Sequence, residues 1–196
     1  MNIGKKIILA SNSPRRKELL GGLGLDFEVR LIKDIDESYP EGLTASETAE
    51  YIAAKKADAY KLSMADDELI ITADTIVVLN NEILGKPADD EEAMDMLRKL
   101  SGKTHQVITG VCMMTEDNTS VFSVTTDVTF KSLTEDEICY YVSNYKPLDK
   151  AGAYGIQEWI GYIGVTSLNG SYFNVMGLPV QRIYSELCQL FCLKCK

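Results

Sequence analysis

Two periods of hydrophobicity alternate along the chain. Residues 6–10 form a short apolar run that stops at polar residues, the pattern of a buried strand. Ser11-Asn12-Ser13-Pro14 then reads as a turn into a helix, with Ser13 as N-cap and Pro14 at the first helical position, where no N–H is needed. Leu19, Leu20 and Leu23 supply the apolar stripe of that helix, and the glycines between Gly21 and Gly24 end it. Residues 27–32 predict a second strand and 34–41 an acidic loop. Thr44 and Glu47 have capping-box spacing and open a helix that runs to about residue 64. Residues 69–79 predict a long strand, broken in hydrophobicity at Thr72, Asp74 and Thr75. Asn80-Asn81 signals a turn into a short return strand at 83–84. A helix follows over 89–100, with acidic residues in its first turn. Paired strands at 104–114 and 120–130 flank Glu116-Asp117-Asn118. Thr134 caps a helix over 134–143, with Glu137 three residues on. Residues 162–168 predict a strand, and 178 to about 193 a closing helix. Helices and strands alternate around one hairpin, so the fold class is α/β with a mixed sheet.

Composition narrows the class. A chain of 196 residues fits one compact domain, or one domain folded as two lobes. Its 45% hydrophobic and 25% charged residues exclude intrinsic disorder. Apolar runs such as Ile7-Ile8-Leu9-Ala10 are far shorter than the roughly 20 residues that span a membrane. The apolar stretch after Lys5-Lys6 stops at Ser11, short of the roughly 7–15 apolar residues of a signal peptide, so the expected location is cytoplasmic. The net charge of −9 repels polyanions, so neither nucleic acid nor an anionic membrane is an expected partner. An anionic ligand therefore needs a local basic cluster. The five cysteines, an odd count, argue for free thiols. Cys188-x3-Cys192-x2-Cys195 has metal-clip spacing but lacks a fourth ligand nearby, and the only histidine is His105.

Several segments carry chemistry-bearing residues. Ser11-Asn12-Ser13-Pro14-Arg15-Arg16 sits where a strand ends and a helix begins, with unsatisfied N–H groups, two hydroxyls and two guanidiniums that match phosphate oxygens. Its plainer reading is a helix cap with solvated arginines. Asp74 lies inside an otherwise apolar strand, on the face opposite Ala73 and Thr75. A carboxylate there is costly unless paired, hydrogen-bonded or metal-bound, or unless the strand edge faces solvent. Lys86, between Gly85 and Pro87, could reach a phosphate; taken by itself it reads as a turn lysine. Residues 149–157 contain two glycines that let backbone approach a ligand, and Gln157 has the donor and acceptor needed to read a base edge. The plainer reading is a structural turn. Residues 170–179 enter the final helix. Ser101-Gly102-Lys103-Thr104 imitates the end of a P-loop, but Leu97 stands where its first glycine is required and a helix precedes it. His105 has no recognisable nucleophile motif and reads as structural, or as orienting a loop.

Together these segments resemble the Maf family of nucleotide pyrophosphatases over nearly the whole chain, from Ile7 to about Leu190. The motifs are Leu9-Ala10-Ser11-Asn12-Ser13-Pro14-Arg15-Arg16, Asp36-Glu37, Lys56 within 53–57, Ala73-Asp74-Thr75, Gly85-Lys86-Pro87, Ser101-Gly102 with His105-Gln106-Val107, the 149–157 segment, and Asn174 to Pro179. The resemblance implies one Maf-like domain over 1–196. Its fold would be an elongated mixed sheet flanked by helices, two lobes with a central cleft, similar to inosine-triphosphate pyrophosphatases. It implies hydrolysis of a nucleoside triphosphate between the α and β phosphates, a divalent cation, and a homodimer. Arg15, Thr75 and Gln157 look like the branch that acts on dTTP and UTP, with modified pyrimidine nucleotides as further candidates. The cysteine-bearing tail after Leu190 departs from the family pattern.

On that resemblance the roles are as follows. Ser11, Ser13, Arg15, Arg16, Lys56 and Lys86 surround the triphosphate, and Thr75 and Gln157 meet the base. Asp74 is the general base for water. Glu37 and Asp74 are the ligands of Mg2+ or Mn2+, with Asp36 as an alternative to Glu37. The competing reading from another class is a nucleotide-binding regulator of cell division that does not turn its ligand over.

Overall fold

The computed structural model describes residues 3–191; Cys192 and Cys195 of the proposed clip lie outside them. Seven strands form one mixed sheet in the order β2-β1-β3-β5-β6-β7, with β4 paired to β3. In chain order the elements are β1 (Lys6–Leu9), α1 (Pro14–Gly21), β2 (Phe27–Val29), α2 (Ala45–Asp58), β3 (Glu68–Leu79), β4 (Glu82–Leu84) and α3 (Asp90–Leu100). Then come β5 (Thr104–Met114), β6 (Thr119–Phe130), α4 (Glu135–Tyr145), α5 (Trp159–Gly164), β7 (Val165–Asn169), α6 (Tyr172–Val175) and α7 (Val180–Leu190). Two single-turn 3-10 helices, Pro147–Asp149 and Ala151–Ala153, lie between α4 and α5. The chain divides into two compact units, one of Met1–Asp74, Thr109–Val124 and Gly177–Lys196, the other of Thr75–Ile108 and Thr125–Met176. Strands β3, β5 and β6 contribute residues to both.

In the first unit, β1 runs parallel to both β2 and β3, with Ile8 opposite Glu28 on one side and Ile70 on the other. Helix α2 covers the face that carries Ile8, Ile70, Cys112 and Met114 and presents Ala53 and Ala57 to it, and Tyr60, just past the helix end, packs in the same cluster. Small residues let α2 lie close. A Cβ added at Gly110 of β5 would fall 2.3 Å from the carbonyl carbon and oxygen of Ala49. The Thr72 hydroxyl donates to the Ala53 carbonyl at 2.6 Å, tying α2 to β3. Each fully buried isoleucine here contributes about 1.5–3 kcal/mol.

Two expected boundaries move for physical reasons. The second strand stops at Val29 and does not reach residue 32. Beyond it the backbone bonds to a side chain: the Tyr60 hydroxyl donates to the Arg30 carbonyl at 2.8 Å and accepts from Ile32 N–H at 3.1 Å. Arg30 is itself fixed by a two-pronged pair with Glu68, at 2.8 and 2.5 Å. Helix α2 ends at Asp58, not near residue 64. After Tyr60 the apolar stripe fails, for Leu62 is fully exposed, and tight turns such as Ser63 N–H to Tyr60 carbonyl replace the helical ladder.

In the second unit, β3 and β4 form a hairpin across Asn80 and Asn81, both at positive φ (51° and 67°), the two-residue turn that suits twisted strands. Helix α3 is capped by Asp89 and α4 by a complete Thr134–Glu137 capping box. The core joins Leu79, Leu97, Phe130, Tyr141, Tyr154 and Ile160. The strand expected over 162–168 is a correction: Trp159–Gly164 is helical and the strand is Val165–Asn169. Aromatic and β-branched residues favour a strand here, but tertiary packing overrides them. Gly161 presses on the Ile156 carbonyl so closely that a Cβ would lie 1.8 Å from its oxygen. The Glu158 carbonyl accepts from Gly161 and Tyr162 N–H, which starts the turn. The last helix begins at Val180, after Pro179, and is described to Leu190.

Candidate active site

The site grows out of the β1–β3 pairing in the first unit. Leu9 lies opposite Ile71, and Ala10 N–H donates to the Ile71 carbonyl at 2.9 Å. Both strands point the same way, so the turn after β1 leaves the carboxyl end of that strand beside the stretch of β3 just past Ile71, where Asp74 sits, and the carboxyl ends of strands are the usual place for ligands in open α/β sheets. In that turn Ser13 caps α1: its hydroxyl accepts from Arg16 N–H at 3.4 Å, and Ser13 N–H donates to the Ser11 hydroxyl at 3.2 Å. Ser11 is buried; Ser13, Arg15 and Arg16 are half-buried.

Alternation along β3 aims Thr72 and Asp74 at α2. Lys56 in the last turn of α2 meets Asp74, with its ammonium 2.7 Å from Asp74 Oδ1. The same ammonium lies 3.1 Å from Glu37 Oε1, so one cation bridges two carboxylates. The side chains of Lys56 and Asp74 are only 15% and 14% exposed, whereas that of Glu37 is 51% exposed. Asp74 is therefore a partly buried, paired carboxylate and not a solvent-facing edge residue. Asp36, the alternative to Glu37, turns to Lys55 at 2.7 Å and to the Ser38 N–H and hydroxyl. Those partners, Lys55 first, hold its carboxyl well below the usual range.

Arg16 binds protein backbone. Its Nε donates to the Gly177 carbonyl and its Nη1 to the Ala73 carbonyl, both at 2.8 Å. Desolvation lowers its pKa from the ordinary value, the nearby Asp74 opposes that, Arg15 adds to it and Glu37 opposes it. A guanidinium stays charged throughout. The segment 174–179 thus acquires a purpose: Gly177 accepts from Arg16, next to Asp74.

In the second unit the structure brings together two segments singled out in the sequence. Gly152 N–H donates to the Gly85 carbonyl at 3.0 Å, tying the loop of Lys86 to the segment that ends at Gln157. Gly152, at φ 67°, sits on the Val77 side chain, and Thr75 shares that face of β3 by alternation. Lys86 is exposed, and Thr75 and Gln157 are half-buried. His105 is buried and shares a 2.7 Å hydrogen bond with the Tyr154 hydroxyl. Desolvation pushes its pKa down to about 4, so it is a neutral structural residue at pH 7. Tyr141 and Glu158, which the sequence did not single out, surround Gly155 and are taken up below.

Among the described residues no group of three or more His, Cys, Asp or Glu is placed to hold a metal ion. Glu37 and Asp74 are nonetheless hard oxygen donors gathered around one positive charge. A magnesium-type ion that takes one or two carboxylates and completes its shell with phosphate and water suits that donor set. No described helix is long and apolar enough to cross a membrane.

The comparison with known sequences fits this geometry. The family profile described as Maf-like protein matches residues 6–190. The chain belongs to the Maf family. A protein of Parabacteroides distasonis named dTTP/UTP pyrophosphatase is 63% identical over 182 residues, covering 93% of this chain and 94% of its own length. One from Porphyromonas gingivalis with the same name is 54% identical over 184 residues, covering 93% and 92%. Among solved structures, a HAM1 protein from Coxiella burnetii aligns with a TM-score of 0.49 at 17% identity, over 94% of this chain and 99% of that one.

Proposed function

We propose that this Maf-family chain hydrolyses dTTP and UTP between the α and β phosphates, giving the monophosphate and pyrophosphate. The observation that carries this reading is Asp74, a partly buried carboxylate midway along β3, just past its parallel pairing with β1, held by Lys56 and close to the charge of Arg16. A protein that only sensed a nucleotide has no need of a general base there, so turnover separates the two readings. The names of relatives 54–63% identical over nearly the whole chain support the substrate pair.

In this reading Asp74 takes the proton of the attacking water as pyrophosphate leaves. Lys56 fixes the direction of that carboxylate and balances its charge. Arg15, Arg16 and the capped start of α1 offer donors to the phosphates, and Ser11 and Ser13 shape that turn. Lys86 is assigned a phosphate contact, and Thr75 and Gln157 contacts to the base, on the family resemblance. Glu37 and Asp74 would hold a divalent cation, magnesium or manganese, which when bound supplies neutralisation of the triphosphate charge. A homodimer in the cytoplasm belongs to the same reading through the family resemblance.

The test is kcat/KM for dTTP, UTP, CTP, GTP and 7-methyl-GTP with Mg2+. The expected ranking places dTTP and UTP together at the top, because they share O4 and N3–H. A preference for 7-methyl-GTP would move the chain to another branch, and tight binding without turnover would restore the regulator.

A further inference from the structure

A glutamine amide can rotate by 180°, so Gln157 reads a base edge only if something fixes it. We propose that Tyr141 and Glu158 are positioning residues that set the Gln157 amide and thereby the selectivity for uracil-type over cytosine-type bases. The inference rests on the reading of Gln157 as the base contact.

Tyr141 lies on the inner face of α4 with no exposed surface, stacked on Tyr145 at 5.1 Å. Its hydroxyl accepts from Gly155 N–H at 3.0 Å and donates in a short bond to Glu158 Oε2. The other Glu158 oxygen faces the Lys150 ammonium at 3.2 Å, which also contacts Asp149 at 2.7 Å. Burial and the Glu158 carboxylate both hold the Tyr141 phenol in its protonated form, so it remains a donor to Glu158. A chain of contacts thus runs from the helix to Gly155, two residues before Gln157, and to Glu158, directly after it.

Gly155 is where this reaches the amide. A Cβ on Gly155 would lie 3.0 Å from Gln157 Nε2, 3.0 Å from Glu158 Cδ and 3.1 Å from Glu158 Oε2. The amide nitrogen and the carboxylate therefore converge on the same small space above Gly155. The flipped amide would set its carbonyl oxygen near a carboxylate oxygen, which electrostatics disfavours. With its nitrogen on the Gly155 side, beside the space that the Glu158 carboxylate also borders, Gln157 has its carbonyl oxygen to accept N3–H, which uracil and thymine have and cytosine lacks. The His105–Tyr154 bond secures the neighbouring residue but does not touch the amide.

The experiment measures the kcat/KM ratio for UTP over CTP in wild type, Tyr141→Phe, Glu158→Gln, Gly155→Ala and Gln157→Ala, with thermal melting of each. Tyr141→Phe should lower the ratio by about tenfold, the scale of one misdirected polar contact. KM for UTP should rise more than kcat falls. Glu158→Gln, which still accepts from Tyr141, should retain more of the ratio. Gly155→Ala displaces a flexible side-chain end and not backbone, so it should fold and lose selectivity even if Tyr141→Phe does not fold. Tyr141→Phe combined with Gln157→Ala should be no less selective than Gln157→Ala alone. The proposal is overturned if Gln157→Ala collapses the ratio while folded Tyr141→Phe and Gly155→Ala keep it, or if they slow all nucleotides equally. A ratio that survives Gln157→Ala itself overturns the underlying base assignment instead.

Discussion

Asp74 was legible as an interruption in an apolar strand, because a carboxylate cannot sit there without a partner. Its partner Lys56, eighteen residues earlier on α2, came from the family resemblance, as did Glu37; spacing alone joins neither to it. Asp74→Asn keeps the shape and removes the base, so turnover should fall by about 10²–10⁴-fold while nucleotide binding persists. Stopped assays alongside calorimetric titration would check this, and activity within tenfold of wild type would move the base, with Glu37 next. Arg16, expected among the phosphate donors, also holds protein backbone. Two of its donors hold the Gly177 and Ala73 carbonyls, so Arg16→Ala should cost about 1.5–3 kcal/mol of stability in urea unfolding, besides any loss of binding. A stability equal to wild type would contradict that structural role.

His105 gives a pH signature. Its folded pKa, about 4, lies below the ordinary 6.5, because burial disfavours the charged ring. Its ring packs edge-on against Phe130 and Tyr154, and Nδ1 has no hydrogen-bond partner among the described residues. The unfolded chain therefore binds a proton that the folded one refuses. Stability is fully present above about pH 6.5 and is lost as pH falls toward 4, by about 3 kcal/mol over the whole window. Carboxylates with lowered pKa, such as Glu68 and Glu137, lose stability only below the ordinary carboxylate range, so the interval from 6.5 to 4.5 isolates His105. Urea unfolding at several pH values should show that slope in wild type and not in His105→Gln; equal slopes would assign it to another group.

At the scale of elements, caps and turns were the most readable features. Ser13, Thr44 and Thr134 cap the helices expected, because each satisfies orphan N–H groups from within its own segment, and Asp89, expected inside its helix, is the cap of α3. What failed was decided at a distance. Residues 159–164 have strand-forming side chains yet turn helical against Ile156, and α2 stops where Tyr60 leaves the stripe to hold Arg30 and Ile32. Tyr141 was not singled out, since nothing local betrays the partners of its hydroxyl. The close approach of α2 to β5 yields an element-scale prediction. Gly110→Ala pushes a methyl group into the Ala49 backbone, so α2 must shift and carry Lys56 with it. Stability should fall by about 1–3 kcal/mol or more, and turnover should fall in the fraction that still folds. A urea midpoint matching wild type would mean that the helix has more room than the structure gives it.

At the scale of the whole molecule, the alternation of elements and the mixed sheet were visible in the sequence, and two lobes were expected from length and the family resemblance, but the points where the chain passes between the two units were not. No linker marks them, because the chain passes from one unit to the other inside β3 at Asp74–Thr75, inside β5 at Ile108–Thr109 and inside β6 at Val124–Thr125, and a fourth time between α6 and α7 at Met176–Gly177. The first of these passages separates the residue proposed to activate water from the one proposed to meet the base. The net charge of −9 makes the cations around Asp74 stand out against a repulsive field, and it is that local cluster which a triphosphate requires. The central claim is the bond that breaks. Phosphorus-31 NMR of dTTP turned over by the protein with Mg2+ should show pyrophosphate and dTMP appearing in equal amounts, and neither with Asp74→Asn. Inorganic phosphate with dTDP as the primary products would contradict the account.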